Sequence, residues 1–427
     1  MGLNMKRFLL LVPAAVLAAC APDASTPAES PAAAAPALNP SEAMHQGFMV
    51  LDSHLDTPAN FHSEEYTFSK RGNFEEDGTQ VDLPRMNEGG LDGGFWVIFT
   101  SQGPLDAASL NSARTVALDR QTSIRELAAR YSNDVELAFT ADDADRINAE
   151  GKKIVFQSME NAYPIGNDVS LLEAFYVGGL RMISPVHFRN NQFADSATDV
   201  NTVFGGLSPL GEDLVRDANR LGIMLDGSHA SEETVWDMLA ISTTPLVLSH
   251  SGPKGVYDHP RNLSDELLKA VADKGGVVQI NAYGSYLEEL VATPERLAAL
   301  AELDAKFGTD PSVLTPEQIE EYRAARKELD KTFPPPRSTF EKFKEHLLYA
   351  LELVGPEHVG MGADWDGGGG VDGMKDVVDL PKVTAALLDA GYSQQDIANI
   401  WGGNLMRVLR EVEAARTSSL TSPKTIN

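Results

Sequence analysis

A handful of side chains in this 427-residue sequence have the types and spacing that metal chemistry needs. His54 and Asp56 stand two apart in Leu51-Asp52-Ser53-His54-Leu55-Asp56. On an extended strand that spacing puts both side chains on one face, whereas a helix would splay them. A neutral imidazole beside a carboxylate is half of a zinc-type site. His229 and His250 each follow a serine, in Asp226-Gly227-Ser228-His229 and Leu248-Ser249-His250, and supply a second half-site. Neighbours along a strand point to opposite faces, so each serine is expected to face away from its histidine, which disfavours a serine nucleophile. Glu160, in Ser158-Met159-Glu160-Asn161, has two oxygens and could bridge two cations. Taken singly, each of these residues would pass for a polar strand end; the set points to metal.

The elements that must position them alternate short β-rich runs with longer helical ones, which argues for parallel βα units. Eight strands are predicted: Met49–His54, Gly94–Thr100, Lys153–Ser158, Leu180–Val186, Gly222–Gly227, Pro245–Ser249, Gly276–Asn281 and His358–Ala363. Several are near-continuous apolar runs, as expected of strands covered on both faces. The fold class is therefore α/β, a (β/α)8 barrel, whose active site is built from the C-terminal strand ends. His54, Glu160, His187, His229, His250 and Asp364 all fall at such ends. Ala113, Ala117, Ile124, Leu127, Ala128 and Tyr131 recur at helical spacing, and Ser208-Pro209 reads as a helix start. The charged stretch from Leu287 to Phe343 reads as two or three extra surface helices before the last strand, broken at Pro334-Pro335-Pro336.

Residues 1–19 read as a signal peptide: Lys6 and Arg7, then an apolar run from Phe8 to Ala19 too short to span a bilayer. Leu17-Ala18-Ala19-Cys20 looks like a bacterial lipobox, with Cys20, the only cysteine, as the lipidated residue. Residues 20–40 are Pro-, Ala- and Ser-rich and read as a linker, 41–415 as the hydrolase domain, and 416–427 as a disordered tail. The expected location is a bacterial cell envelope, outside the cytoplasm, with membrane contact through the lipid alone. Acidic residues outnumber basic ones, 62 to 35, for a formal charge of −27, which opposes binding to nucleic acid or anionic lipid.

Longer stretches carry a family resemblance. Leu51 to Asp56, Gly205 to His229, Ser249-His250-Ser251, Asp258-His259-Pro260-Arg261-Asn262, Gly275-Gly276-Val277-Val278 and Gly362-Ala363-Asp364-Trp365-Asp366-Gly367 together resemble the membrane (renal-type) dipeptidases, peptidase family M19 of the amidohydrolase superfamily. The resemblance implies two zinc ions, one held by His54 and Asp56, the other by His229 and His250, with Glu160 bridging. It implies substrate binding by His187, Arg261 and Asp364, dipeptide hydrolysis by a metal-activated hydroxide, and a homodimer. In that scheme His187 stabilises the oxyanion, Asp364 relays a proton and Arg261 takes the substrate's carboxylate. Leu55 and Ala363 depart from the family pattern without removing a ligand, and the 287–343 insertion and the glycine run after Asp366 are expected to border the mouth. Another amidase or lactonase of this barrel, or a zinc-carrying lipoprotein without turnover, are the competing readings. A calcium loop starting at Asp364 fails, because Lys375 takes the twelfth position where a bidentate Glu is required.

Overall fold

The eight expected strands are present and form one parallel sheet wrapped into a barrel, in a computed structural model that describes residues 39–308 and 315–420. They are β1 Leu51–Leu55, β2 Gly93–Phe99, β3 Lys153–Glu160, β4 Leu180–Ile183, β5 Met224–Asp226, β6 Leu246–Pro253, β7 Val277–Ile280 and β8 Val359–Met361. Neighbours pair in chain order from β1 to β8. Between β8 and β1 the ladder gives way to other bonds. Ser53 Oγ donates to Met361 O at 3.1 Å, Ala363 N to Asp52 Oδ2 at 3.0 Å, and Asp56 N to Trp365 O at 2.9 Å. The architecture is a (β/α)8 barrel. Two further strands, Val135–Leu137 beside β3 and Asn262–Leu263 beside β6, escape the sequence pattern because two or three residues show no period.

Local chemistry sets the helices. Ser208 accepts from Gly211 N and caps Pro209–Leu221, which ends at left-handed Gly222. Ala107–Arg130 buries Ala113, Ala117, Ile124, Leu127 and Ala128 along one stripe. At the N-terminal end of the barrel, Leu51, Phe95, Ile154, Met182, Met224, Val247 and Val277 pack with Leu405, Met406, Val408, Leu409 and Val412 of the helix Asn404–Ala415. That helix closes the barrel floor, which leaves the opposite rim for chemistry.

The insertion contains two helices, Pro294–Phe307 and Pro316–Thr332, joined by a small apolar cluster of their own around Leu303, Phe307 and Leu329. Residues 334–338 are irregular, as the proline run implies, before the helix Phe340–Val354. Thr417 and Ser418 donate their backbone N–H groups to Arg220 O, and Leu420 packs on the core. The expected signal peptide 1–19, Cys20, the linker as far as residue 38, and residues 421–427 lie outside the described residues.

Candidate metal centre and active site

The rim of the barrel gathers the residues that the sequence scatters over 310 positions. Two of the strands that carry them are bulged at the key histidine. Pairing of β1 with β2 slips between Asp52 and Leu55, and pairing of β6 with β7 slips between Leu248 and Ser251. An extra residue in a strand re-aims its side chain, and here it turns His54 and His250 towards one another, ring centroids 3.8 Å apart. Among the described residues, only Asn161, His229, Asp364 and Asp366 combine a side chain with left-handed φ, between 64° and 70°. All four belong to the rim loops, and such backbone costs on the order of 1–3 kcal/mol each, concentrating at functional sites.

Glu160 is the hub. Its Oε1 lies 3.0 Å from His229 Nε2, 3.4 Å from His250 Nε2, and 3.7 Å from both His54 Nε2 and His187 Nε2. His54 Nε2 also lies 3.3 Å from Asp56 Oδ2 and 3.8 Å from Asp364 Oδ1. The predicted two-residue spacing of His54 and Asp56 thus does bring both to one place. Donor atoms of three overlapping triads, His54/Asp56/Glu160, His54/His250/Asp364 and Glu160/His187/His229, each fall within 4.8 Å of one another.

Burial makes these groups hungry for a cation. His54 Nδ1 and Nε2 and His229 Nδ1 are buried without a hydrogen-bond partner among the described residues, and His229 and His250 face each other Nε2 to Nε2 at 2.8 Å. Buried polar atoms left this way are costly, and converging imidazoles and carboxylates are the donor set of a divalent transition metal. The electrostatics agree. Burial works against charge on His54, but Glu160, Asp56 and Asp364 outweigh it and lift its pKa to about 10. Burial pushes Glu160 up to about 8 against the pull of His54, and holds Asp364 well above the usual carboxylate range, reinforced by Asp56 and Glu160. Burial, followed by Arg261, takes His187 down to about 3, and burial likewise keeps His229 and His250 neutral. Neutral imidazoles have the free lone pair that ligation requires.

A cleft of about 350 Å³ opens onto this cluster. Asp56, Glu160, His187, His229, His250 and Asp364 line it, joined by Phe99, Phe188, Tyr283 and Tyr286. Arg261 reads in sequence as a loop residue, yet it is 2 % exposed. Its Nη2 donates to His250 O at 3.0 Å, its guanidinium lies over Tyr286, its Nε is unpartnered, and no carboxylate of the described residues pairs with it. The glycine run reaches the cleft through Asp366 and Gly367, and among the described residues none of the 287–343 insertion lines it. Asp366 itself is tied up, accepting from Thr57 Oγ1 and Gln80 N at 2.7 Å each. The remaining histidines are structural or superficial: His45, His346 and His358 bond to backbone carbonyls, His259 Nδ1 accepts from Arg261 N, and exposed His62 pairs with Asp119.

One sequence expectation needs correcting. Ser249 does not face away from His250: at the bulge its Oγ lies 2.8 Å from His250 Nδ1. It is still no nucleophile, because it is wholly buried on the side of the ring away from the cleft and donates to Asp226 Oδ2 at 2.6 Å. Phe99, Phe188, Tyr286 and Asp226 were invisible as site residues; Asp226 stands in the Asp-Gly-Ser-His run that ends at His229, but its bond to Ser249 joins two strands and leaves no local sign.

A barrel whose C-terminal rim clusters four histidines and three carboxylates beside one cleft defines a metal-dependent hydrolase. The chain belongs to the membrane dipeptidase family (peptidase family M19), whose family model matches residues 38–423, and it is a metallopeptidase, a hydrolase of peptide bonds. It is similar to Dipeptidase tcpJ of Claviceps purpurea, 30% identical over 79% of this chain and 70% of that protein. Among solved structures it resembles the probable dipeptidase PvdM from Pseudomonas aeruginosa, at 31% identity and TM-score 0.75 over 88% of this chain and 98% of that one. It also resembles a metallopeptidase from Rhodobacter sphaeroides liganded with a phosphinate mimic of the dipeptide L-Ala-D-Ala, at 25% identity and TM-score 0.68 over 86% and 99%.

Proposed function

We propose that the protein is a zinc dipeptidase with two zinc sites, His54 and Asp56 at one, His229 and His250 at the other, and Glu160 shared. The observation that carries this reading is the single oxygen of Glu160 set within 4 Å of four imidazole Nε2 atoms. Zinc held there supplies a Lewis acid and a water whose pKa is lowered towards about 7. The chain's own residues do the rest. His187, neutral at the cleft wall, donates a hydrogen bond to the carbonyl oxygen as it gains charge, a role typically worth about 10²–10³ in rate. Asp364, whose burial favours the protonated form, carries a proton to the departing amine. Arg261, a buried cation without a carboxylate partner among the described residues, takes the substrate's terminal carboxylate.

The signal segment and Cys20 support a lipid anchor holding the enzyme in a bacterial cell envelope, and the family resemblance supports a homodimer. The test combines metal analysis with a substrate panel on one preparation. Two zinc per chain, loss of one in His229→Ala, and cleavage of Ala- or Gly-containing dipeptides but not of N-acyl amino acids or lactones are expected. Dipeptidase activity that survives exhaustive chelation would overturn the reading.

A further inference from the structure

His250 differs from the other histidines of the cluster in having its far nitrogen engaged. Its Nδ1 lies 2.8 Å from Ser249 Oγ, whereas Nδ1 of His54 and of His229 has no partner. The direction of the bond follows from counting protons. Ser249 Oγ has one hydrogen and donates it to Asp226 Oδ2 at 2.6 Å. Asp226 Oδ1 is occupied by the backbone N–H groups of Ser228 and Ser249, both at 2.9 Å. A carboxylate has no proton to return, so Ser249 can only accept from the ring, and His250 Nδ1 is the donor. Its Nε2 lone pair is therefore the one that points at Glu160 and His229. Further bonds fix the backbone of the same unit: Ser228 Oγ accepts from His250 N at 3.0 Å and sits 3.2 Å from Ser251 Oγ. Asp226, Ser228, Ser249 and Ser251 are at most 4 % exposed, so solvent cannot substitute for a lost member.

We infer that Asp226 and Ser249 are positioning residues that act through His250, locking its tautomer and ring orientation and so setting the affinity of the one cation that His250 holds. The inference rests on His250 being a metal ligand, as proposed above. It also implies unequal sites. The cation at His250 has an oriented ligand behind it, while His54 has none, so the two ions should load in separate steps. Partners of this kind are worth about 10- to 100-fold in metal affinity.

The experiment measures zinc binding directly by competition with a chromophoric chelator on metal-stripped full-length protein. Wild type, Ser249→Ala, Asp226→Asn and His250→Ala are compared, with melting curves of each metal-free protein. Ser249→Ala removes one hydroxyl and keeps the strand; Asp226→Asn keeps an acceptor for the two backbone N–H groups while denying one to Ser249. We expect both to weaken one zinc step by about 10- to 100-fold and leave the other within a factor of about three. The cobalt(II)-substituted variants should show a shifted visible absorption, which a loss of packing alone would not produce. Wild-type affinity at both steps in folded Ser249→Ala overturns the relay, provided His250→Ala still loses one zinc. Should Asp226→Asn fail to fold, Ser249→Ala alone decides. Two zinc ions retained by His250→Ala would instead sink the ligand assignment, so the two failures are distinguishable.

Discussion

Replacing Arg261 by Met separates substrate recognition from stability. The guanidinium is buried at 2 % exposure and has no carboxylate partner among the described residues, so in the free enzyme a charge is held out of water with one hydrogen bond, to His250 O. Losing that bond costs about 1.5–3 kcal/mol, but relief of a poorly compensated buried charge acts in the opposite sense. The two terms nearly cancel, and Met refills the apolar stem, so the melting temperature should move little. Binding is another matter. A buried pair between this fork and a substrate carboxylate is worth roughly 2–5 kcal/mol on truncation, which at about 1.36 kcal/mol per decade is roughly 30- to 5000-fold in kcat/KM. The assay compares a dipeptide with its C-terminal amide in both enzymes. Wild type should prefer the free carboxylate by a factor in that range, and Arg261→Met should lose the preference by slowing only the acid. Arg261→Lys should recover it partly, since a point charge cannot form the bidentate pair. A discrimination that survives intact in Arg261→Met would refute the assignment of the carboxylate to this residue.

Further consequences can be checked separately. Asp364→Asn should lower kcat by about 10²–10⁴ with little change in KM; an unaffected kcat would remove Asp364 from the proton path. Gly368→Ala should damage catalysis more than stability, because at φ +129° its Cβ would sit 2.3 Å from Tyr283 Cε2 and drive that ring into the cleft; unchanged kinetics would show that the loop yields freely. His45 should make stability pH-dependent. Its Nε2 donates to Gly89 O, its Nδ1 accepts from Thr384 Oγ1, and burial lowers its pKa to about 4 against 6.5 unfolded. The folded pKa lies below the unfolded one, so this contribution, about 3 kcal/mol, is full above pH 6.5 and is lost as pH falls towards 4. In His45→Asn the drop in melting temperature between pH 7 and 5 should shrink; an identical slope would exclude His45 as its source.

How much of the site was legible depended on how local its cause is. The two-residue spacing of His54 and Asp56 at a strand end was legible, and they meet at 3.3 Å, although Asp56 lies just past β1 and the slip at His54 helps to aim the ring. The Ser249–His250 contact could not be read, because it needs a bulge, and the slip between Leu248 and Ser251 is set by the register against β7. Nothing local in Asp258-His259-Pro260-Arg261 marks Arg261 as buried. Its burial is the work of Tyr286, 25 residues on, and of the carbonyl of His250. Lys375 already ruled out a calcium loop around Asp366, but what holds Asp366 could not be read: Gln80, 286 residues away, bonds both its backbone and its carboxylate.

The amino-acid order alone specified eight β-rich segments, the chemistry waiting at their C-terminal ends, and the donor types that fit a divalent metal. Those follow from side-chain periodicity and from which atoms carry lone pairs, and both are short-range. Burial, protonation and tautomer were decided only when the barrel closed. They depend on desolvation and on charges brought near from distant parts of the chain, and no local pattern encodes the distance from Glu160 to four imidazoles.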